Sequence, residues 1–155
     1  MSLEIRRIVT GHNDIGQSVV LVDETAKTFA QREGAEGALL WTTDGGFPVS
    51  NNEANAAERE LKVAYGDGTL FRVVSNAPGV SAHMHRTNSI DYMVVISGEM
   101  DMELDDETVV HLKRGDTLVQ RGTAHRWVNN GTEPCVLAFV MIGAHPVEVA
   151  GQPLA

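Results

Sequence analysis

The stretch IDYMVVISGEMDMELDD, residues 90–106, carries the periodicity that decides the fold class. Within EMDMEL, residues 99–104, apolar and acidic residues alternate strictly. Successive side chains on a strand point to opposite faces, so Met100, Met102 and Leu104 share one face and Glu99, Asp101 and Glu103 the other. That is the pattern of a half-buried strand. IDYMVVIS, just before it, is rich in β-branched and aromatic residues, with Gly98 as the break between the two. DDE, residues 105–107, then turns the chain into TVVHLKRGD, where a hairpin is expected.

The same texture extends in both directions. IRRIVTG and QSVVLVD flank HNDIG, whose Asn, Asp and Gly suit a turn, and GALLWTTD is a third early strand closed by Gly45 and Gly46. Pro48–Glu60 has no strand signal and reads as a loop or short helical turn. GDGT, residues 66–69, reads as a hairpin turn leading into TLFRVVSNAPG. TLVQRG, HRWVNNG and PCVLAFVMIG follow, and the tail from His145, with two prolines, is expected to be loose or to pair at an edge. Many short strands, frequent turns and no strong amphipathic helix predict an all-β sandwich or barrel. No repeat or linker divides the 155 residues, so one domain over 1–155 is expected, with 1–60 forming N-terminal strands and a loop.

Composition narrows the partners. The chain is 43% hydrophobic and 21% charged, with a net charge of -9 and a pI near 5.0. Nucleic acid and anionic membranes both attract basic patches, so neither is an expected partner. MSLEIRRIV has arginines but no apolar core of a signal peptide, and the apolar run near residues 135–144 is too short to span a bilayer. A soluble cytoplasmic protein is expected. Cys135, in CVLAFVMIG, reads as a small buried hydrophobe.

Chemistry concentrates in HMHRTNSID, residues 83–91, and in HRWVNN, residues 125–130. His83 and His85 are two apart, so on a strand both imidazoles project to one side and could share a transition metal. Two such histidines are also common on plain surfaces. Asp91 shares parity with Met93 and Val95, which sends its carboxylate to one face with them, although an aspartate opening a strand can equally face water. His125 shares a face with Trp127 and Asn129. Met93, Val95, Met100, Met102, Val119 and Trp127 are the candidate inward positions, and of the arginines near the motifs Arg72, alternating with Leu70 and Val74, is the best inward candidate. Arg126 alternates with His125 and should point outward. His12, His111 and His145 fall outside the motifs and are assigned no ligand role.

These residues together resemble the cupins, small jelly-roll β-barrels with two motifs. Gly79, His83, His85, Asp91 and Gly98 stand in the places of the first motif, and Gly115, Gly122, His125 and Asn129 in those of the second. Motif 1 thus spans 79–98 and motif 2 115–129. The resemblance implies a metal held by His83, His85 and His125, with Asp91 where the family has a glutamate. It implies Fe, Mn, Ni or Zn, without choosing among them. The departures are the aspartate, one residue more between His85 and Asp91, two fewer between Gly79 and His83, and Gln120 at a proline position. HRTNSIDY with VQRGTAHRW is similar to small single-domain cupins of bacteria and fungi, some of them accompanying natural-product pathways as presumed decarboxylases.

The implied function is a metal-dependent enzyme acting on a small organic acid or aromatic metabolite by decarboxylation, dehydration or dioxygenation. Arg72, Met93, Met102 and Trp127 are the expected substrate contacts. The alternative is a binding module that holds a small ligand or a metal without chemistry. An epimerase-like cupin fits less well, because the three histidines are intact. The family resemblance also implies a homodimer, with the N-terminal strands through Trp41 exchanged.

Overall fold

Alternation is what assembles the barrel. The computed structural model describes residues 3–43, 56–58 and 67–153. Its strands are β1 (Arg6–His12), β2 (Ser18–Thr25), β3 (Thr28–Arg32), β4 (Ala35–Thr43), β5 (Thr69–Asn76), β6 (Ser89–Ser97) and β7 (Glu99–Leu104). Then follow β8 (Val109–Lys113), β9 (Thr117–Arg121), β10 (His125–Val128), β11 (Cys135–Gly143), β12 (Glu148–Val149) and β13 (Gln152–Pro153). The described residues contain no α-helix and only one 3-10 turn, Ala56–Glu58. None of their helices is long and apolar enough to cross a membrane.

One six-stranded antiparallel sheet runs β3-β4-β5-β11-β6-β9, and a three-stranded sheet runs β10-β7-β8. The core lies between them. Met93 and Val95 of β6, Leu70 and Val74 of β5, and Leu137 and Met141 of β11 meet Met100 and Met102 of β7 and Trp127 of β10. Each such side chain contributes about 1.5–3 kcal/mol by leaving water. The alternation read from EMDMEL holds: Met100 and Met102 are buried, while Glu99 is exposed.

Glycines set two corners. Gly98 turns β6 into β7 at φ 73°, and an added Cβ would lie 2.5 Å from the Pro134 carbonyl oxygen. Only glycine fits both conditions. Gly122, at φ 60°, turns β9 toward β10 beneath the Thr87 carbonyl.

The N-terminal hairpin β1–β2 pairs with neither large sheet. Asn13 shapes its turn by accepting the Ile15 and Gln17 N–H groups at 3.2 and 2.9 Å. Buried Arg7 ties it to the barrel, donating to the Leu40 carbonyl at 3.1 Å and pairing with Glu24. Leu3 and Ile5 pack on a second apolar cluster, Ala26, Ala38, Leu40 and Val73, on the outer side of the six-stranded sheet.

Some expectations change and others hold. β3 was not expected, because TFAQR ends in two polar residues; it pairs with β4 across a turn at Gly34, φ 71°. Val119 points outward and is 60% exposed. Register explains this: Gln120 pairs with Asp91 and Leu118 with Met93, so Leu118 and Gln120 take the inward face. The tail is ordered into the short β12–β13 pair around Ala150 and Gly151, both at positive φ. Of the segment Pro48–Glu60, residues 56–58 form the 3-10 turn with Ala56 buried; its other residues, and Gly45, Gly46 and Gly66, lie outside the described residues.

Candidate functional site

Two chain segments far apart in sequence are stitched together at the mouth of the barrel. His85 and His125 exchange both backbone hydrogen bonds, each 2.9 Å. Such a pair places both side chains on the same face. Their rings accordingly stand 4.4 Å apart, centroid to centroid. Nearer the first motif's start, Ser81 bridges Val128, so the register slips by one residue between the two bridges. His83 lies in that slip. It is exposed, outside any strand, with its ring 5.4 Å from that of His85. The expectation of a continuous strand through both histidines is therefore corrected to a bulged segment held at its ends.

The imidazole tautomers follow from the hydrogen bonds. His85 Nδ1 donates to the His83 carbonyl at 3.0 Å, and His125 Nδ1 donates to the Thr123 carbonyl at 2.9 Å. A carbonyl oxygen can only accept, so each Nδ1 carries the proton and each neutral ring keeps its lone pair on Nε2. This is the orientation that backbone carbonyls impose on metal-binding histidines. Burial lowers the His125 pKa, and the nearby His85 lowers it further, against the Thr123 bond. Burial thus favours the uncharged ring, in which Nε2 keeps its lone pair.

Asp91 is 4% exposed. The Ser89 hydroxyl donates to its Oδ1 at 2.5 Å. Burial raises the Asp91 pKa, opposed by the Ser89 bond and by the charges of Arg72 and His85.

All four residues line one cavity of about 430 Å³. Trp127 forms part of its wall, edge-on to His125 at 5.6 Å and to Phe139 at 6.0 Å. Arg72 is also on the wall, its Cζ 5.7 Å from the Phe139 ring centroid. Met93 and Met102, expected to touch substrate, are core residues at 4% exposure each and are not on the wall. Parity gives the inward face of a strand but not the depth along it. The cavity also holds Gln31, Arg32, Gln120 and Phe139, none of which was read from the sequence as a site residue. For Phe139 the signal was present in its alternation with Leu137 and Met141. For Arg32 it was hidden with β3.

The donor set suits a divalent transition ion: two tautomer-locked imidazoles, a third close by, and a carboxylate on the same wall. Among the described residues, no three His, Cys, Asp or Glu side chains yet stand in a metal-holding arrangement. His83 is the most exposed of the four. Asn129 takes no part. It is fully buried, donates to the Asn76 and Glu133 carbonyls at 2.9 and 3.0 Å, and accepts from the Gly131 N–H. His111 is a surface residue paired with Asp101 and Glu99. Arg126 pairs with Glu103 on the outside, as expected.

Residues 69–142 match the family described as "Cupin domain". Over 158 aligned residues the chain is 34% identical to the cupin-domain-containing oxidoreductase fogC of Aspergillus ruber, covering 96% of this chain and 77% of that protein. It is 32% identical to the cupin-domain-containing oxidoreductase srdD of Neurospora crassa, covering 93% of this chain and 78% of that one. Among solved structures it resembles the Schizosaccharomyces pombe Cnp3 cupin domain, with a TM-score of 0.56, 13% identity, and coverage of 92% and 89%. That structural likeness concerns the fold alone. With both motifs meeting at one cavity and whole-chain relatives that carry the same domain, the chain belongs to the cupin family.

Proposed function

We propose that this cupin is a metal-dependent enzyme acting on a small organic acid or aromatic metabolite, with His83, His85, His125 and Asp91 as ligands of an Fe, Mn, Ni or Zn ion. One observation carries the reading. The Nδ1 protons of His85 and His125 are both committed to backbone carbonyls, which leaves two Nε2 lone pairs on rings 4.4 Å apart on one cavity wall. An ion bound there would polarise a substrate oxygen and, if it were iron, support redox chemistry.

The protein's own residues supply the rest. Trp127 and Phe139 present edges and faces against which a flat apolar body packs, excluding water from the reacting end. Arg72 offers positive charge on the same wall. Ser89 fixes one oxygen of Asp91, leaving the other for the ion. The relatives named oxidoreductases favour oxidation over the decarboxylase and dehydratase types.

Element analysis of protein purified without added metal tests this reading. About one ion per chain is expected, lost in a His83→Gln/His125→Gln double variant that keeps its β-rich circular dichroism. Retention of stoichiometric metal by the folded double variant refutes it. A second reading, a ligand-binding module without chemistry, is favoured by the absence of a closed ligand cluster among the described residues. Metal-loaded protein that binds an aromatic acid without consuming it in air supports that reading instead.

A further inference from the structure

We propose that Arg32 and Arg72 form a carboxylate-binding subsite at the cavity wall, so that the ligand is an organic acid with a flat apolar body. This rests on the reading of the cavity as a substrate site and names the class of substrate.

The two arginines come from different strands, Arg32 from the end of β3 and Arg72 from the middle of β5, and both reach the cavity. Each has a buried Nε with no acceptor among the described residues. Arg32 is oriented by its Nη2, which donates to Asn76 Oδ1 at 2.8 Å. Arg72 lies over the Phe139 ring and makes no hydrogen bond or ion pair among the described residues. Asp91 attracts it electrostatically without reaching ion-pair distance, and one of that carboxylate's oxygens already accepts from Ser89.

Two guanidinium groups with unused donors and few acceptors, held beside apolar rings, are unfavourable until an anion joins them. Charge balance points the same way. The chain carries -9 overall, yet three arginines and a single carboxylate face this cavity. A positive spot in a concave wall focuses anions.

Geometry selects the kind of anion. A guanidinium fork matches the two oxygens of a carboxylate or of a phosphate. A phosphate usually needs further donors, commonly backbone N–H groups at a helix N-terminus, and the described residues contain no α-helix. The neighbouring wall is Trp127, Leu137 and Phe139. Such a surface suits an aryl or alkyl body attached to the carboxylate.

Calorimetry with chelator-treated protein tests the subsite apart from the metal. Benzoate, methyl benzoate and inorganic phosphate are the probes. Benzoate is expected to bind at least tenfold more tightly than methyl benzoate or phosphate, in line with the strength of charge-assisted hydrogen bonds. Arg32→Gln and Arg72→Gln should each weaken benzoate about tenfold or more, and Arg72→Lys, which keeps the charge but loses the fork, should fall between wild type and Arg72→Gln. Thermal unfolding establishes that each variant is folded, and Arg72→Lys stands in for a glutamine variant that is not. His125→Gln should weaken metal binding on the order of a hundredfold and keep benzoate binding. Equal affinity for benzoate and its ester, no benzoate binding at all, or wild-type affinity in both arginine variants overturns the subsite. Benzoate binding by a wild-type protein that takes up no metal would overturn the enzyme reading and leave the subsite standing.

Discussion

The three histidines differ in how far the protein has prepared them, and that difference is measurable. Structural zinc sites with four ligands provide about 10–16 kcal/mol, hence about 3 kcal/mol per ligand. Loss of a fully prepared ligand should therefore weaken binding on the order of a hundredfold. His125 is 3% exposed with its ring fixed by Thr123, and His85 is fixed by the His83 carbonyl and two backbone bonds to His125. Their glutamine variants should each show the full loss. His83 is exposed and sits in the register slip, so ordering its side chain on an ion consumes about 0.5–1.5 kcal/mol of that benefit. His83→Gln should then cost only about 1.5–2.5 kcal/mol, roughly tenfold to sixtyfold. The assay is zinc titration of chelator-treated protein against a chromophoric chelator, with circular dichroism verifying the fold. Wild-type affinity in His125→Gln would refute the site, and losses of equal size at His83 and His125 would refute the asymmetry.

Other expectations concern the scaffold around the site. Gly98→Ala and Gly115→Ala both force a left-handed residue, about 1–2 kcal/mol, but only the Gly98 Cβ meets backbone, at 2.5 and 2.8 Å, while Gly115 has open space. Urea midpoints should show Gly98→Ala losing more than about 3 kcal/mol and Gly115→Ala about 1–2 kcal/mol; equal losses would contradict the close approach. Burial, aided by the charge of Glu99, pushes the Cys135 thiol up to about 11. Iodoacetamide at mildly alkaline pH should spare it in the folded protein and label it in urea, and comparable rates in the two states would show that the thiol is accessible. The His111 pKa is raised, first by its bond to Asp101 and then by the charges of Asp101 and Glu99. The stability it adds is complete below its unfolded pKa of about 6.5 and fades as pH rises through the higher folded value. An NMR titration should show that raised midpoint in wild type and a return toward the ordinary value in Asp101→Asn.

Strand positions and facing directions were legible in the sequence wherever alternation was clean. EMDMEL and DYMVVIS became β7 and β6 with the expected inner faces, and CVLAFVMIG became β11 with Cys135 buried as expected. Failures came where register, not periodicity, set the outcome. Val119 and Gln120 exchanged roles because β9 is aligned by its pairing with β6. Arg32 was invisible because β3 has little apolar content and exists by pairing with β4. Met93 and Met102 take the expected inner face and lie in the core beside the cavity rather than on its wall, since a strand's period says nothing about where along the barrel a cavity opens. The meeting of His85 with His125 could be inferred from spacing only by resemblance. In the fold it follows from two backbone hydrogen bonds and a one-residue slip.

Arg86 closes the same junction from the other side, its Nη1 donating to the Gly122 carbonyl at 2.6 Å across 36 residues of chain. The two motifs are thus joined twice at this junction, by that contact and by the paired backbones of His85 and His125. An ion held by the pair would find its ligands together only in the folded chain, so it should add to native stability by mass action.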